Sequence, residues 1–166
     1  MQHIIIVGRN GVGKSTLIRT LLEAIPLPKY GVITKKEAAD ETGMRPVYIH
    51  LYGETRRYSD ENRIGLCGAG GSKAFPQAFD RFAERMLFPQ DGVIVFDELG
   101  FMESAAARFT ASVLHTLDTA PFCICAVRDK QTAFLDAVRS HPRAAVFSIS
   151  EDNRDDLRDK LLRLLA

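Results

Sequence analysis

One stretch near the start of the chain has the residue types and spacing needed to hold phosphate groups. Residues 8–15 read Gly-Arg-Asn-Gly-Val-Gly-Lys-Ser and fit the pattern G-x-x-x-x-G-K-[ST]. Glycines at three of these positions allow positive φ angles, so successive backbone amides can point at one anion. The Lys14 ammonium can reach the β- and γ-phosphates of a nucleotide, and the Ser15 hydroxyl can contact Mg²⁺. This stretch therefore predicts a phosphate-binding loop.

The segments on either side of the loop support this interpretation. His3–Val7 is rich in β-branched residues and typical of a buried strand, while residues 16–25 have helical spacing up to Pro26. The loop therefore lies at the N-terminus of a helix, where the partial positive charge attracts anions. The predicted binding residues are Gly8, Arg9, Asn10, Gly11, Val12, Gly13, Lys14, Ser15 and Thr16.

Two adjacent carboxylates follow a second buried strand. Val93–Phe96 is continuously apolar, and Asp97 and Glu98 come directly after it. With a phosphate-binding loop upstream, Asp97 is placed to hold Mg²⁺ together with Ser15. Glu98 is placed to polarise a water for in-line attack on a γ-phosphate. The alternative interpretations are a strand-end turn residue for Asp97 and a solvated or helix-capping carboxylate for Glu98.

Three further residues are weaker candidates. Glu103 could orient Glu98 or the water, or it could be a carboxylate favoured by a helix dipole. Arg128 ends the apolar strand Phe122–Val127 and could contact the γ-phosphate or pair with a neighbouring acid on the surface. Arg9 could act as an arginine finger, although a solvated side chain is the favoured interpretation. The predicted catalytic residues are Lys14, Glu98, Glu103 and Arg128.

The rest of the chain supplies the elements that must position these residues. Strand-like segments alternate with helical ones, which predicts a mostly parallel α/β sheet with helices on both faces. Ligands bind at the carboxyl edge of such a sheet, so the ends of the strands described above should converge there. The later elements are predicted helices over 105–117, 131–139 and 155–165 and a last strand over Ala144–Ile149.

Residues 30–60 differ from this pattern and predict a small antiparallel insertion. Its strands are predicted over Tyr30–Thr34, Pro46–Tyr52 and Arg56–Tyr58. The glycine-rich stretch Gly65–Gly71 predicts a flexible loop, and Ser72 is placed to cap the next helix. That helix is predicted over Phe75–Phe88, because its apolar residues recur every three or four positions.

Composition narrows the class of protein. With 166 residues, 46% hydrophobic and 26% charged, the chain is predicted to be a single domain over 1–166 with a sizeable core. The net charge of +1 provides no basic field for nucleic acid, and there is no run of 18 apolar residues that would predict a membrane span. Three cysteines without metal-ligand spacing, and no signal-peptide pattern, favour a reducing, cytoplasmic location.

These motifs, in this order, resemble those of a known family. The sequence is similar to the small bacterial and archaeal P-loop nucleoside-triphosphatases of the cancer-related nucleoside-triphosphatase type. The most specific likeness is Asp97–Glu103, which resembles the family's Asp-Glu-Ile-Gly-Lys-Met-Glu segment. Gly8–Leu17 resembles the family's opening, Gly31–Thr34 its Gly-Phe-x-Thr segment, and Ser150–Asp155 its tail.

The resemblance implies a RecA-like core and Mg²⁺-dependent hydrolysis of ATP, GTP and other nucleoside triphosphates. The residues with implied roles are Lys14, Ser15, Asp97, Glu98 and Glu103. Two positions depart from the family. Phe101 stands where a lysine is usual and cannot supply that charge to a phosphate. Lys35 and Lys36 follow Thr34 where an acidic residue is usual, so this part of the chain would face a different ligand.

Three functions compete at this point, with hydrolysis of a nucleoside triphosphate as the leading hypothesis. A small kinase would pass the γ-phosphate to an acceptor metabolite or nucleotide held by residues 30–60. Its lid would need several arginines, and Arg56, Arg57 and Arg63 do not form a convincing one. A nucleotide-dependent switch would act through an unidentified protein partner, but the Asn-Lys-x-Asp segment typical of guanine-specific switches is absent.

Overall fold

The computed structural model describes residues 1–166 and contains eight strands, five α-helices and one 3-10 turn. The strands are β1 (His3–Gly8), β2 (Lys29–Lys36), β3 (Arg45–Leu51), β4 (Arg63–Gly68), β5 (Gly71–Ala74), β6 (Val93–Leu99), β7 (Phe122–Arg128) and β8 (Ala144–Ser148). The helices are α1 (Lys14–Ala24), α2 (Pro76–Ala83), α3 (Ala107–Thr119), α4 (Ala133–Arg139) and α5 (Arg154–Leu165), and the 3-10 turn covers Met102–Ala105. None of the helices combines the length and apolar character needed to cross a lipid bilayer.

All eight strands belong to one sheet with the order β5-β4-β3-β2-β6-β7-β1-β8. Five neighbouring strands pair in parallel, in the order β2, β6, β7, β1 and β8. On the other side of β2, the strands β3, β4 and β5 add antiparallel pairs. The predicted α/β class with a mostly parallel sheet is confirmed.

Helices cover both faces of the sheet because the central strands are apolar on both sides. On one face, α2, α3 and α4 pack over a core that includes Phe79, Phe96 and Phe109. On the other face, α1 and α5 pack over a core that includes Ile6 and Leu161. In the terminal helix Leu157 and Leu161 are buried in this core, whereas Leu164 is exposed to solvent.

Strand register brings the predicted site residues to one edge of the sheet. Gly8 at the end of β1 lies opposite Arg128 at the end of β7. Asp97 of β6 lies opposite Ala126 of β7 on one side and Ile33 of β2 on the other. Parallel strands end at the same edge, so the loop after β1 and the ends of β6 and β7 meet there.

The prediction of a strand over Arg56–Tyr58 is wrong. These residues lie in a loop held by the buried side chain of Asn62. The Asn62 amide donates to the carbonyls of Ile49 (3.2 Å) and Arg57 (2.9 Å), and its oxygen accepts from the Ser59 amide at 3.1 Å. Because this side chain satisfies backbone groups that a strand partner would otherwise bond, the segment remains a loop although its composition resembles a strand.

The predicted flexible loop over Gly65–Gly71 is also wrong. Its residues form most of β4 and the turn into β5, and Gly71 supplies the positive φ of 120° at that turn. Ser72 lies in β5 and its hydroxyl contacts the Cys67 sulfur, so it does not cap α2, whose N-cap position is Phe75. Glycines are common in flexible loops and in hairpin turns alike, so the glycine content of this segment did not show that it forms a hairpin.

The helix predicted over Phe75–Phe88 is shorter, because α2 ends at Ala83. The next amides bond three residues back, with Arg85 donating to the Phe82 carbonyl and Met86 to that of Ala83. This tightening ends the helix and still buries Met86. The apolar spacing therefore identified the buried residues correctly and the length of the helix incorrectly.

Candidate nucleotide-binding site

The loop between β1 and α1 has the backbone of a phosphate cradle. Gly11 and Gly13 take φ angles of 79° and 107°, which other residues rarely adopt, and α1 begins at Lys14. Gly8 is needed for a different reason, since a Cβ there would come within 2.6 Å of the Ile149 side chain. The first amides of α1 are therefore presented at the open edge of the sheet.

Lys14 is folded into this loop. Its side chain is only 4% exposed, and its Nζ donates to the carbonyls of Gly8 (2.8 Å) and Arg9 (2.7 Å). The same Nζ lies 3.3 Å from Glu98 Oε2. The Lys14 ammonium therefore lies at the point where the loop faces β6.

Ser15 and Asp97 join the loop to β6. The Ser15 hydroxyl donates to Asp97 Oδ1 at 2.8 Å. Burial raises the pKa of Asp97, and the negative charge of Glu98 adds to the rise, while the Ser15 hydrogen bond and Lys14 oppose it. The two oxygens form a compact pair of hard donors beside the helix N-terminus.

Glu98 is held between two cations. Arg128 donates from Nε (3.1 Å) and Nη2 (2.7 Å) to Glu98 Oε1, while Lys14 pairs with Oε2. The backbone at Glu98 is fixed by Thr34, whose hydroxyl accepts from the Glu98 amide at 3.3 Å. Both carboxylate oxygens are therefore occupied by groups that an anionic phosphate would attract.

Glu103 lies behind this pair in the 3-10 turn. Its side chain is 3% exposed and accepts a hydrogen bond from the Gly100 amide. The pKa of Glu103 is raised to about 7, mainly by burial and to a smaller degree by the charge of Glu98, while backbone hydrogen bonds and the charge of Arg128 oppose the rise. Glu103 is electrostatically coupled to the Glu98–Arg128 pair without a hydrogen bond to either residue.

Phe101 supports the arginine of this pair. The Arg128 guanidinium carbon lies 5.6 Å from the centre of the Phe101 ring, within the range of a cation–π interaction. A ring at this position orients the guanidinium and adds no charge of its own. The sequence showed only that Phe101 replaces a lysine, and it indicated no role for Thr34. The contact of Phe101 with Arg128 and that of Thr34 with the Glu98 amide have no sequence signal.

The remaining predicted loop residues separate into two groups. The Val12 side chain is buried in the core, so only its backbone can face a ligand. The exposed residues of the segment are Arg9, Asn10, Gly11, Ser15 and Thr16. The structure gives the Arg9 side chain no hydrogen bond or ion pair, while its carbonyl accepts from Lys14.

A cavity of about 200 Å³ continues from these groups along the sheet edge. At one end it is bounded by Asn10, Ser15 and Asp97, and Glu98 and Arg128 lie along it. It then extends over the ends of β2, β3 and β4 to the 3-10 turn. The site thus has a loop for phosphates and an adjoining space beyond the carboxylates.

This fold and site define a P-loop nucleotide-binding protein. A glycine-rich loop joins β1 to the N-terminus of α1, and two adjacent acids lie beside it near the end of β6. The model of the NTPase family matches residues 3–162, so the chain belongs to that family of nucleoside-triphosphatases. The resemblance drawn from the motifs is confirmed.

The chain is similar over nearly its full length to curated and solved relatives. It is 23% identical to the nucleoside-triphosphatase THEP1 of Natranaerobius thermophilus, over 98% of this chain and 95% of that protein. It is 25% identical to the cancer-related nucleoside-triphosphatase of Homo sapiens, over 94% and 92% of the two chains. The crystal structure of THEP1 from Aquifex aeolicus shares its fold, with a TM-score of 0.66, 21% identity and 98% coverage of both chains.

Proposed function

We propose that this protein hydrolyses nucleoside triphosphates such as ATP and GTP to the diphosphate and inorganic phosphate, in a reaction that depends on Mg²⁺. The observation that carries this proposal is the position of Glu98, which lies between Lys14 and Arg128 directly opposite the phosphate-binding loop. The names of the relatives support the same reaction.

Ser15 and Asp97 together fit a bound magnesium ion. Mg²⁺ takes oxygen ligands and keeps several waters, so it needs few protein groups. The Ser15 hydroxyl and the Asp97 carboxylate would hold it together with phosphate oxygens. When bound, the ion would neutralise charge on the phosphates.

The contacts of Lys14 suggest how binding and chemistry are linked. Its ammonium donates hydrogen bonds to two carbonyls of its own loop and forms an ion pair with Glu98. A triphosphate would compete for this ammonium and for Arg128, because phosphate oxygens accept charge-assisted hydrogen bonds strongly. Substrate binding would thereby release Glu98 from its two cations.

The released Glu98 carboxylate would act as a general base. It would accept a proton from water as the water oxygen bonds to the γ-phosphorus and the bond to the bridging oxygen breaks. The diphosphate leaves with that oxygen, and Lys14 and Arg128 would stabilise the charge that develops on the phosphoryl group. Glu103 would act through Glu98 and Arg128 rather than on the substrate.

A cytoplasmic location is part of this proposal. The three cysteines are all free thiols, and Cys123 and Cys125 are buried. Burial raises the pKa of the Cys123 thiol to about 12, so it is protonated and unreactive at neutral pH. Free thiols of this kind are usual in a reducing compartment.

The direct test measures phosphate release from ATP, GTP, CTP and UTP, each with Mg²⁺ and with excess chelator, and with a pooled metabolite mixture as a further arm. The proposal expects free phosphate from at least one triphosphate with Mg²⁺, without any added acceptor, and little release with chelator. Phosphorylated metabolite without free phosphate would show a kinase instead.

A further inference from the structure

We propose that the cavity beyond Glu98 binds a second small molecule, an anion with a compact apolar body, beside the position of the γ-phosphate. Part of the cavity wall is apolar. It is lined by Val47, Ile64, Phe79 and Met102, whose side chains belong to the core on the sheet face opposite α1 or pack against it. A wall of this kind favours an apolar group, and hydrolysis alone gives it no occupant.

A free positive charge lies next to this apolar wall. Lys36 lines the cavity at the end of β2 and is paired in register with Val47 of β3, so the two side chains share one face of the sheet. The structure gives the Lys36 side chain no hydrogen bond and no ion pair, and the same holds for the side chain of Lys35. The neighbouring acid, Glu37, is already paired with Arg56 at 2.5 Å.

None of the acids that line the cavity is paired with this lysine. Asp97 accepts a hydrogen bond from Ser15, Glu98 is paired with Arg128 and Lys14, and Glu103 accepts from the Gly100 amide. The Lys36 ammonium is therefore available to pair with a carboxylate, sulfonate or phosphate group of a ligand.

The size of the cavity limits the ligand. At about 200 Å³ it is smaller than pockets for drug-sized ligands, which begin near about 300 Å³. The occupant is therefore a compact metabolite-sized anion rather than a second nucleotide. Because Glu98 and Arg128 line the same cavity, the bound anion would touch the residues that face the γ-phosphate.

The experiment uses the four methionines of the chain, labelled with ¹³C at their methyl groups. Met102 lines the cavity, whereas Met86 is buried in the core away from it and serves as an internal control. The phosphate loop is first saturated with Mg²⁺ and the β,γ-imido analogue of ATP. Phenyl phosphate and benzoate are then titrated separately while the methyl signals are followed, with inorganic phosphate as an anion that lacks an apolar body.

The proposal expects a saturable shift of the Met102 signal with phenyl phosphate or benzoate, little shift with inorganic phosphate, and no shift of the Met86 signal. Lys36→Ala should weaken this binding on the order of tenfold, because an ion pair is lost. Lys160→Ala removes the same charge on α5, outside the cavity, and should leave the binding unchanged.

Three results would overturn the proposal: no saturable shift at Met102 with either probe, an equal shift at Met86, or unchanged binding in the Lys36→Ala variant. The inference depends on the proposed function only for its location beside the γ-phosphate. Phosphate release without added anion tests hydrolysis separately, and Lys36→Ala should leave that rate unchanged. A Met102 response in a protein that releases no phosphate would leave this site standing and refute the hydrolysis.

Discussion

Glu98 has more charged partners than any other residue of the site. Lys14 and Arg128 occupy its two oxygens, and Thr34 fixes its backbone. A carboxylate held in this way is fixed in position, and in the proposed mechanism it accepts a proton from water only after one cation has moved. In the proposed mechanism the phosphate loop and the general base share one lysine, and the substrate draws this lysine away from Glu98 as it binds.

Glu103 is the second residue whose charge state matters. Because burial raises its pKa from the ordinary 4.5 to about 7, the folded protein holds this proton more tightly than the unfolded chain. Its contribution to the free energy of unfolding is therefore largest at low pH and is lost as the pH rises from about 4.5 to about 7. Glu103→Gln keeps an acceptor for the Gly100 amide and removes the titration.

We expect Glu103→Gln to gain stability relative to the parent as the pH rises, by roughly 3 kcal/mol between pH 4.5 and 7 for a shift of this size. Urea unfolding of both proteins at several pH values measures the difference. A difference between variant and parent that stays constant from pH 4.5 to 8 would contradict the assignment of this carboxyl.

At the scale of elements, the contact between β2 and β6 decides whether the acids reach the loop. Gly31 of β2 has a φ of 135°, and a Cβ there would lie 1.9 Å from the Val95 carbonyl oxygen. β6 carries Asp97 and Glu98 two and three residues beyond Val95, so a forced separation of these strands would displace both carboxylates.

Gly31→Ala should therefore destabilise the fold by about 3 kcal/mol or more, or prevent soluble expression, because neither the backbone angle nor the space admits a methyl group. Gly70→Ala is the matched control, since Gly70 has no neighbour within 4 Å and needs no positive φ. Thermal unfolding compares the two variants. Similar melting temperatures for Gly31→Ala and Gly70→Ala would refute this account of the strand pair.

The elements also show what the sequence can predict and why it fails elsewhere. The central parallel strands were predictable because β1, β6 and β7 each contain a continuous apolar run. The site was predictable because its loop follows a strand and precedes a helix. The hairpin of β4 and β5 was not predictable from local pattern. Its glycines look like a loop, and its pairing with β3 depends on residues some twenty positions away in the chain. The contact between Arg128 and Glu98 likewise requires knowledge of which strands are neighbours.

At the scale of the whole molecule, His3 ties three elements together inside the core. Its Nε2 donates to the Leu117 carbonyl at 2.7 Å and its Nδ1 accepts from the Cys123 amide at 3.0 Å, so the ring is neutral. Burial, reinforced by the charge of Arg143, lowers its pKa below 6.5. The unfolded chain therefore takes up a proton below about pH 6.5 that the folded protein resists.

We expect the free energy of unfolding to fall as the pH drops below 6.5, with His3 contributing at most one proton, or about 1.4 kcal/mol per pH unit. His3→Gln retains one donor and one acceptor and should show a shallower fall. Denaturant titrations between pH 5 and 7.5 give the two slopes. Equal slopes for parent and variant would show that this histidine does not govern the acid sensitivity of the molecule.

The central claim is that Lys14 holds the nucleotide while Glu98 takes the proton from the attacking water. The most direct measurement compares nucleotide binding, by calorimetry, and phosphate release in the parent, Lys14→Ala and Glu98→Gln proteins. Lys14→Ala should abolish binding. Glu98→Gln should keep binding, because the loss of its charge frees Lys14 and Arg128 for phosphate, and should lower turnover by about 100-fold or more. Hydrolysis by Glu98→Gln at the parental rate would contradict the account.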